Sequence, residues 1–266
     1  ANGCFQISCY PLEEIAPKLA DKYPSGVPEL RWQPSRMDDS EFCVHMFYGA
    51  SADQALIGKY IHDASLDNDE QINEELRLVE KILKSVVIVP PGDRKLASDM
   101  EKFDRFQGSL AASYDLLDNA IESDSFVEVI AVSANQIDAF LRLSIVIAIQ
   151  LKNQTDEIPI KYLFQAEDER GLMERKIYDN ALKYNVIKDN DHEELNSLYE
   201  LRNRVIHRYI ISNIKTRDLP RIALRYVEAC EKVRLILRDL ENKQKDCQYG
   251  VYGKKFMKFP SLMMRQ

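Results

Sequence analysis

SFVEVIAVSANQIDAFLRLSIVIAIQLKN, residues 125–153, reads as one long helix. Phe126, Val129, Ile130, Ile137, Phe140 and Leu141 recur at helical spacing as a stripe, which widens to nearly the whole circumference between Ile145 and Leu151. A helix that is apolar all round must be enclosed by others, so this segment is expected to be the central member of a helical bundle. Its most apolar run, Leu143 to Leu151, contains Ser144 and Gln150 and falls short of the about 20 residues a bilayer span requires, so no membrane segment is expected.

The flanking sequence extends the helical pattern. Ser98, with Glu101 three positions on, has the form of a capping box, and Phe103, Phe106, Leu110, Tyr114 and Leu117 follow it on one face. Glu157 to Phe164 contains Pro159 and predicts irregular chain. Helix is expected again over Asp168 to Tyr184, ended by the acidic turn Lys188-Asp189-Asn190-Asp191, then over His192 to Tyr209 and Leu219 to Lys243.

The first 97 residues read differently. Cys4 to Tyr10, Glu41 to Tyr48 and Ser85 to Val89 have strand-like content, and Leu12 to Tyr23, Ala52 to His62 and Asp69 to Lys84 predict helices. Pro24, Pro28 and Pro34 mark a loop-like stretch, and Pro90-Pro91-Gly92-Asp93 is a strong breaker. The expected architecture is mainly α: an antiparallel helical bundle over 98–243, a smaller α+β region over 1–97, and a basic, aromatic tail over 244–266.

With 266 residues, 45% hydrophobic and 30% charged, the chain has the composition of a globular protein with a real core. Cys4, Cys9, Cys43, Cys230 and Cys247 are odd in number and scattered, which points to a reducing cytoplasm and not to a disulfide framework. Ala1-Asn2-Gly3 opens no basic-then-apolar leader, so no signal peptide is expected. Glycine-rich phosphate loops, H-E-x-x-H and G-x-S-x-G are absent, which removes the common nucleotide hydrolase, zinc protease and serine hydrolase readings.

The chemistry-bearing stretch is Leu201-Arg202-Asn203-Arg204-Val205-Ile206-His207-Arg208-Tyr209. A histidine moves protons near neutral pH, and an arginine can grip two phosphate oxygens, so Arg202 and His207 suit phosphodiester chemistry. Asn203 lies four residues before His207 and shares its helix face, where its amide suits orientation of the ring or the substrate. Arg202 lies five before His207, about 140° away around an ideal helix, so one helix alone does not bring the two together. From Leu201 to Tyr226 stand Arg202, Arg204, Arg208, Lys215, Arg217, Arg221 and Arg225 against Asp218 alone. That basic window, in a chain of formal net charge -7, calls for phosphate as counter-charge, while the overall charge excludes simple coating of nucleic acid.

The motif resembles the R-x4-H-x-Y signature of HEPN ribonucleases, especially HepT-like toxins, and the likeness covers roughly residues 98–243. The resemblance implies a bundle that pairs with a second copy so that two motifs face one cleft. It further implies metal-independent RNA cleavage by 2'-hydroxyl attack leaving a 2',3'-cyclic phosphate, with no cofactor, as in a toxin or anti-phage effector. Arg202, Asn203 and His207 would be catalytic, and Arg204, Arg208 and Arg221 would bind RNA. Tyr209 matches a tyrosine that a nucleotidyltransferase antitoxin modifies in HepT-like toxins.

Other readings stand beside this one. A non-catalytic HEPN module binding nucleotide or a protein partner has the same pattern. The arginines also suit ion pairs with Glu167, Asp168 and Glu169, or a helix C-terminal charge cluster. The aromatics and lysines of the tail (Tyr249, Tyr252, Lys254, Lys255, Phe256, Lys258, Phe259) suit stacking on single-stranded RNA or clasping a partner subunit. Cys4, Cys9, Cys43 and His45 form a zinc set only if their strands pair, and their spacing fits zinc knuckles badly, so no metal is expected.

Overall fold

The computed structural model describes residues 3–12, 32–50, 54–67, 69–86, 89–166 and 170–254. The chain divides into two compact units, Ala1–Pro90 and Pro91–Gln266. The Pro90-Pro91 breaker is the boundary.

The first unit is an antiparallel sheet with a helix on one face. Strands β1 (Gly3–Pro11), β2 (Gln33–Asp38), β3 (Phe42–Ala50) and β4 (Gln54–Asp63) lie in the order β1-β4-β3-β2. Two expectations are corrected here. Of residues 52–62, read as helix, those from Gln54 onward form β4, because Leu56, Gly58, Tyr60 and His62 turn inward with the period of two that a strand between two neighbours imposes, while 52–53 lie outside the described residues. Pro34, read as loop, sits in β2, a position open to it because β2 is an edge strand and proline lacks the N–H of a full ladder. In the β2–β3 turn, the Asp39 carboxylate accepts the backbone N–H groups of Glu41 and Phe42 at 2.8 and 2.7 Å.

Helix α1 (Glu70–Ser85) starts at Asp69, whose side chain accepts the Gln71 N–H. Ile72, Val79 and Leu83 are its buried residues, and they pack with Phe47 and Tyr60 of the sheet. A Cβ on Gly58 would lie 3.2 Å from a Leu83 methyl, so glycine is what allows this close approach. Ser85 to Val89 was expected to be a strand; Ser85 instead closes α1, with Val86 as its C-cap. The helix expected over Leu12 to Tyr23 lies, beyond Leu12, outside the described residues.

The second unit holds helices α2 (Arg94–Glu122), α3 (Phe126–Asn153), α4 (Glu174–Lys183), α5 (Asp189–His207) and α6 (Leu219–Lys245). As expected, α3 is central: it packs most extensively on α6 and also on α2, α4 and α5. Ile130, Leu141, Ile145, Val146 and Ile147 are fully buried. Among the described residues, α3 is the one helix long and apolar enough to cross a membrane, yet 67% of its most apolar stretch is covered inside the bundle.

Some boundaries differ from expectation. Helix α2 begins at Arg94, four residues before Ser98. The turn around Asp189 does not end α4 but opens α5: the Asp191 carboxylate accepts the Lys188 N–H at 3.1 Å, and a negative charge in a first helical turn is favourable. The start of the tail folds back onto the bundle. Gln150, buried in α3, accepts from Gln244 Nε2 and Val251 N–H and donates to the Glu157 carbonyl. Tyr252 packs edge-on against Phe103 and accepts from Gln107 at 2.5 Å.

Candidate active site

The buried stripe of α5, namely Leu195, Leu198 and Val205, sets the direction of every side chain in the motif. Arg202 follows Leu198 by four residues, about 40° around the helix, and so lies along the edge of the buried stripe. His207 follows Leu198 by nine, about 180°, and faces solvent. The structure agrees: His207 is exposed, whereas the Arg202 side chain is only 16% exposed.

Arg202 is held on three sides. Its Nη1 donates to Glu174 of α4 at 2.5 Å, Nη2 donates to Asn203 Oδ1 at 3.2 Å, and the guanidinium lies over the Tyr199 ring, 5.0 Å from its centre. Glu174 also accepts from the Tyr178 hydroxyl. Arg175 lies over the same Tyr199 ring at 4.9 Å and pairs with Glu200. Arg202 thus has a structural task that the sequence did not reveal, and its loss will affect the fold as well as any chemistry. The Asn203 oxygen is given to Arg202; no hydrogen bond joins it to His207 among the described residues.

A second partly buried charged pair lies on α3. Asp138 of α3 accepts from Arg142 Nε at 2.5 Å, and Arg142 also donates to the carbonyls of Tyr162 and Leu172. Burial pushes the Asp138 carboxyl above its ordinary range, against the pull of Arg142 and, more weakly, of Arg202. Burial likewise pushes the Tyr178 phenol up, with the Glu174 charge adding to the effect. Glu174, Tyr199 and Asp138 are members of this polar network that sequence reasoning missed. They come from three helices, and only tertiary packing assembles them.

The sequence from the motif into α6 is basic. Arg204, Arg208, Lys215, Arg217, Arg221 and Arg225 are exposed, and none forms an ion pair among the described residues. Glu167, Asp168 and Glu169, the acids considered as partners, lie outside those residues. Arg221 and Arg225 stand one turn apart on the solvent face of α6. Tyr209 is half-buried, with its hydroxyl 2.6 Å from Thr216 Oγ1. Ile206, Ile210, Ile211 and Leu224 are exposed in the same stretch of sequence, Ile210 at 95% and Ile211 at 84%.

Of the two other groupings weighed from the sequence, the tail is described only through Lys254 and the cysteine–histidine set does not assemble. Tyr252 is docked inside its own unit, which removes it from an RNA-stacking tail, and 255–266 lie outside the described residues. Cys4 pairs with Ile61 and Cys9 with Leu56, whereas Cys43 lies opposite His62. Cys4 therefore points from the other face of the sheet, and Cys9 lies six residues, about 20 Å, along the strand from the His62 position, so the set Cys4, Cys9, Cys43 and His45 cannot close on one ion. All five cysteines are free. Compared with known proteins, the chain matches no family model, no curated protein and no solved structure.

Proposed function

We propose that the helical unit is a HEPN-type, metal-independent endoribonuclease of toxin or anti-phage class, working in the cytoplasm as a homodimer. The observation that carries the reading is the exposed His207 at the end of α5, within a stretch of sequence, residues 204 to 225, whose six exposed cations have no ion pair among the described residues. Phosphate is the counter-charge such a stretch fits. His207 takes the proton from an RNA 2'-hydroxyl, whose oxygen attacks phosphorus; the bond to the 5'-oxygen breaks, that oxygen is protonated, and a 2',3'-cyclic phosphate remains. Arg202 and Asn203 hold the phosphoryl oxygens, and Arg204, Arg208 and Arg221 bind the RNA backbone. Because Arg202 and His207 diverge around one helix, the site needs the motif of a second copy. The exposed Ile206, Ile210, Ile211 and Leu224 support an apolar contact there. Tyr209 is the point at which a nucleotidyltransferase partner would regulate the site.

The grip of Glu174 on Arg202 favours a second reading, a non-catalytic HEPN module that binds nucleotide or a protein through the same basic stretch. One experiment separates the two. The protein is incubated with RNA in excess chelator beside its His207→Ala variant, and products are tested for cyclic phosphate ends. Cleavage by the parent alone supports the nuclease. No cleavage by the parent, or equal cleavage by both, rejects it.

A further inference from the structure

We infer that the N-terminal unit carries a zinc-class metal site formed by Cys43, His62 and Asp67, with His45 as the fourth donor. The inference is independent of the nuclease reading, since every residue concerned lies within Ala1–Pro90.

The sheet builds the site. Cys43 and His62 are cross-strand partners, His45 is two residues along β3 on the same face, and Asp67 follows the short turn after β4. The ligand atoms of Cys43, His62 and Asp67 all lie within 4.8 Å of one another. Tetrahedral zinc, with bonds of about 2.0–2.3 Å, places its ligands about 3.3–3.8 Å apart, so small side-chain shifts close the set. His45 Nε2 is already 3.1 Å from His62 Nε2.

Two further observations point to a ligand. His62, only 2% exposed, has Nδ1 at 2.9 Å from the Asp63 carbonyl. Donation there fixes the tautomer and turns the Nε2 lone pair, which His45 Nε2 now faces, into the cluster, the second contact that metal-binding imidazoles ordinarily have. The other observation is position: the candidate ligands lie on β3, on β4 and just before α1, so a metal held by them would clamp these three together.

A cation already bridges part of the cluster. Arg36 Nη2 donates to Cys43 Sγ at 3.2 Å and to Asp67 at 2.7 Å, while Nε donates to Asp38. Metal would take the places of Nη2 on sulfur and carboxylate, and Arg36 would keep Asp38. Arg36, Asp38 and Asp67 sum to one negative charge, Asp63 and Glu75 add more nearby, and a divalent ion that replaces the Cys43 proton offsets part of it. Further neighbours among the described residues are the Tyr60 ring, Glu75, which accepts from the Tyr60 hydroxyl, and the Asp63 carboxylate, whose charge interacts with His62. A thiolate with imidazoles selects zinc over magnesium or calcium.

The test uses the full chain, reduced, stripped with chelator and desalted, then titrated with cobalt(II) and with zinc. One cobalt per chain should bind with a sulfur-to-cobalt charge-transfer band, and zinc should displace it. Cys43→Ser should lose the band, and Cys43→Ser and His62→Gln should each weaken zinc binding by more than about 100-fold, beyond the effect usual for an outer partner. Cys4→Ser, on the other face, should bind as the parent does. Should the ligand variants misfold by circular dichroism, Arg36→Gln keeps the question open to measurement, since removing the competing cation should tighten zinc binding. The inference fails if the folded parent takes up no stoichiometric metal, if the band persists in Cys43→Ser, or if Arg36→Gln leaves affinity unchanged or weaker. RNA cleavage by the stripped protein would bear on His207 alone.

Discussion

Removing the Glu174 carboxylate tests whether the bundle depends on its grip of Arg202. The two side chains are 14% and 16% exposed and 2.5 Å apart. At that distance and an effective dielectric of about 20 the attraction is roughly 6–7 kcal/mol, from which the cost of drying both groups must be subtracted. Glu174→Ala leaves the guanidinium partly buried with only the Asn203 oxygen and the Tyr199 face, and should cost about 3–5 kcal/mol. Glu174→Gln keeps an oxygen for both Arg202 and Tyr178 and should cost about 1–2 kcal/mol, the difference between charged and neutral hydrogen bonds. The double variant Glu174→Ala/Arg202→Met removes both charges, so its loss should fall short of the sum of the single losses by about 2–3 kcal/mol. Urea denaturation followed by circular dichroism at neutral pH measures all four proteins. The exposed His207 provides the control: His207→Ala should stay within about 0.5 kcal/mol of the parent. Additive losses, with coupling below about 0.5 kcal/mol, would refute the pairing and the structural role given to Arg202.

Three other outcomes are expected. Neutralising Arg204, Arg208 and Arg221 together should weaken RNA binding and flatten its salt dependence by about 0.7 in slope per lost phosphate contact; an unchanged slope in a filter-binding series would assign these arginines another task. Burial opposes ionisation of Asp191, yet Lys232 at 2.5 Å and the Lys188 N–H outweigh it and hold the carboxyl below its ordinary value. A depressed carboxyl stabilises the fold above its unfolded pKa, and that contribution is lost as pH falls through the folded one. Asp191→Asn should therefore cost about 1 kcal/mol at pH 7, and the gap from the parent should close below about pH 4, as read from chemical denaturation across pH. Gln150→Leu should leave the Val251 N–H and the Glu157 carbonyl without their partner and cost about 2–3 kcal/mol; hydrogen exchange at the Val251 amide should accelerate, and unchanged protection would show that the fold-back is held elsewhere.

The bundle was legible in the chain because α3 carries its own statement of burial: apolar residues around the whole circumference have no stable place except among other helices. The motif at Arg202 to Tyr209 and the basic window around it are properties of composition and spacing, and the sequence alone places His207 and Arg202 on diverging sides of a helix. What the sequence could not supply is partnership across elements. Residues 54–63 have apolar content that suits helix or strand, and only pairing with β1 and β3 on both edges selects the strand. Glu174 is one acid among many until α4 lies against α5 and brings it to Arg202. Cys43 and His62 are 19 residues apart, and their approach depends on a register that a side-chain period of two leaves open to slips of two residues in either direction. Periodicity is local and can be read along the chain, whereas charge pairing and ligand clustering depend on which surfaces meet, and that is settled only when the core packs.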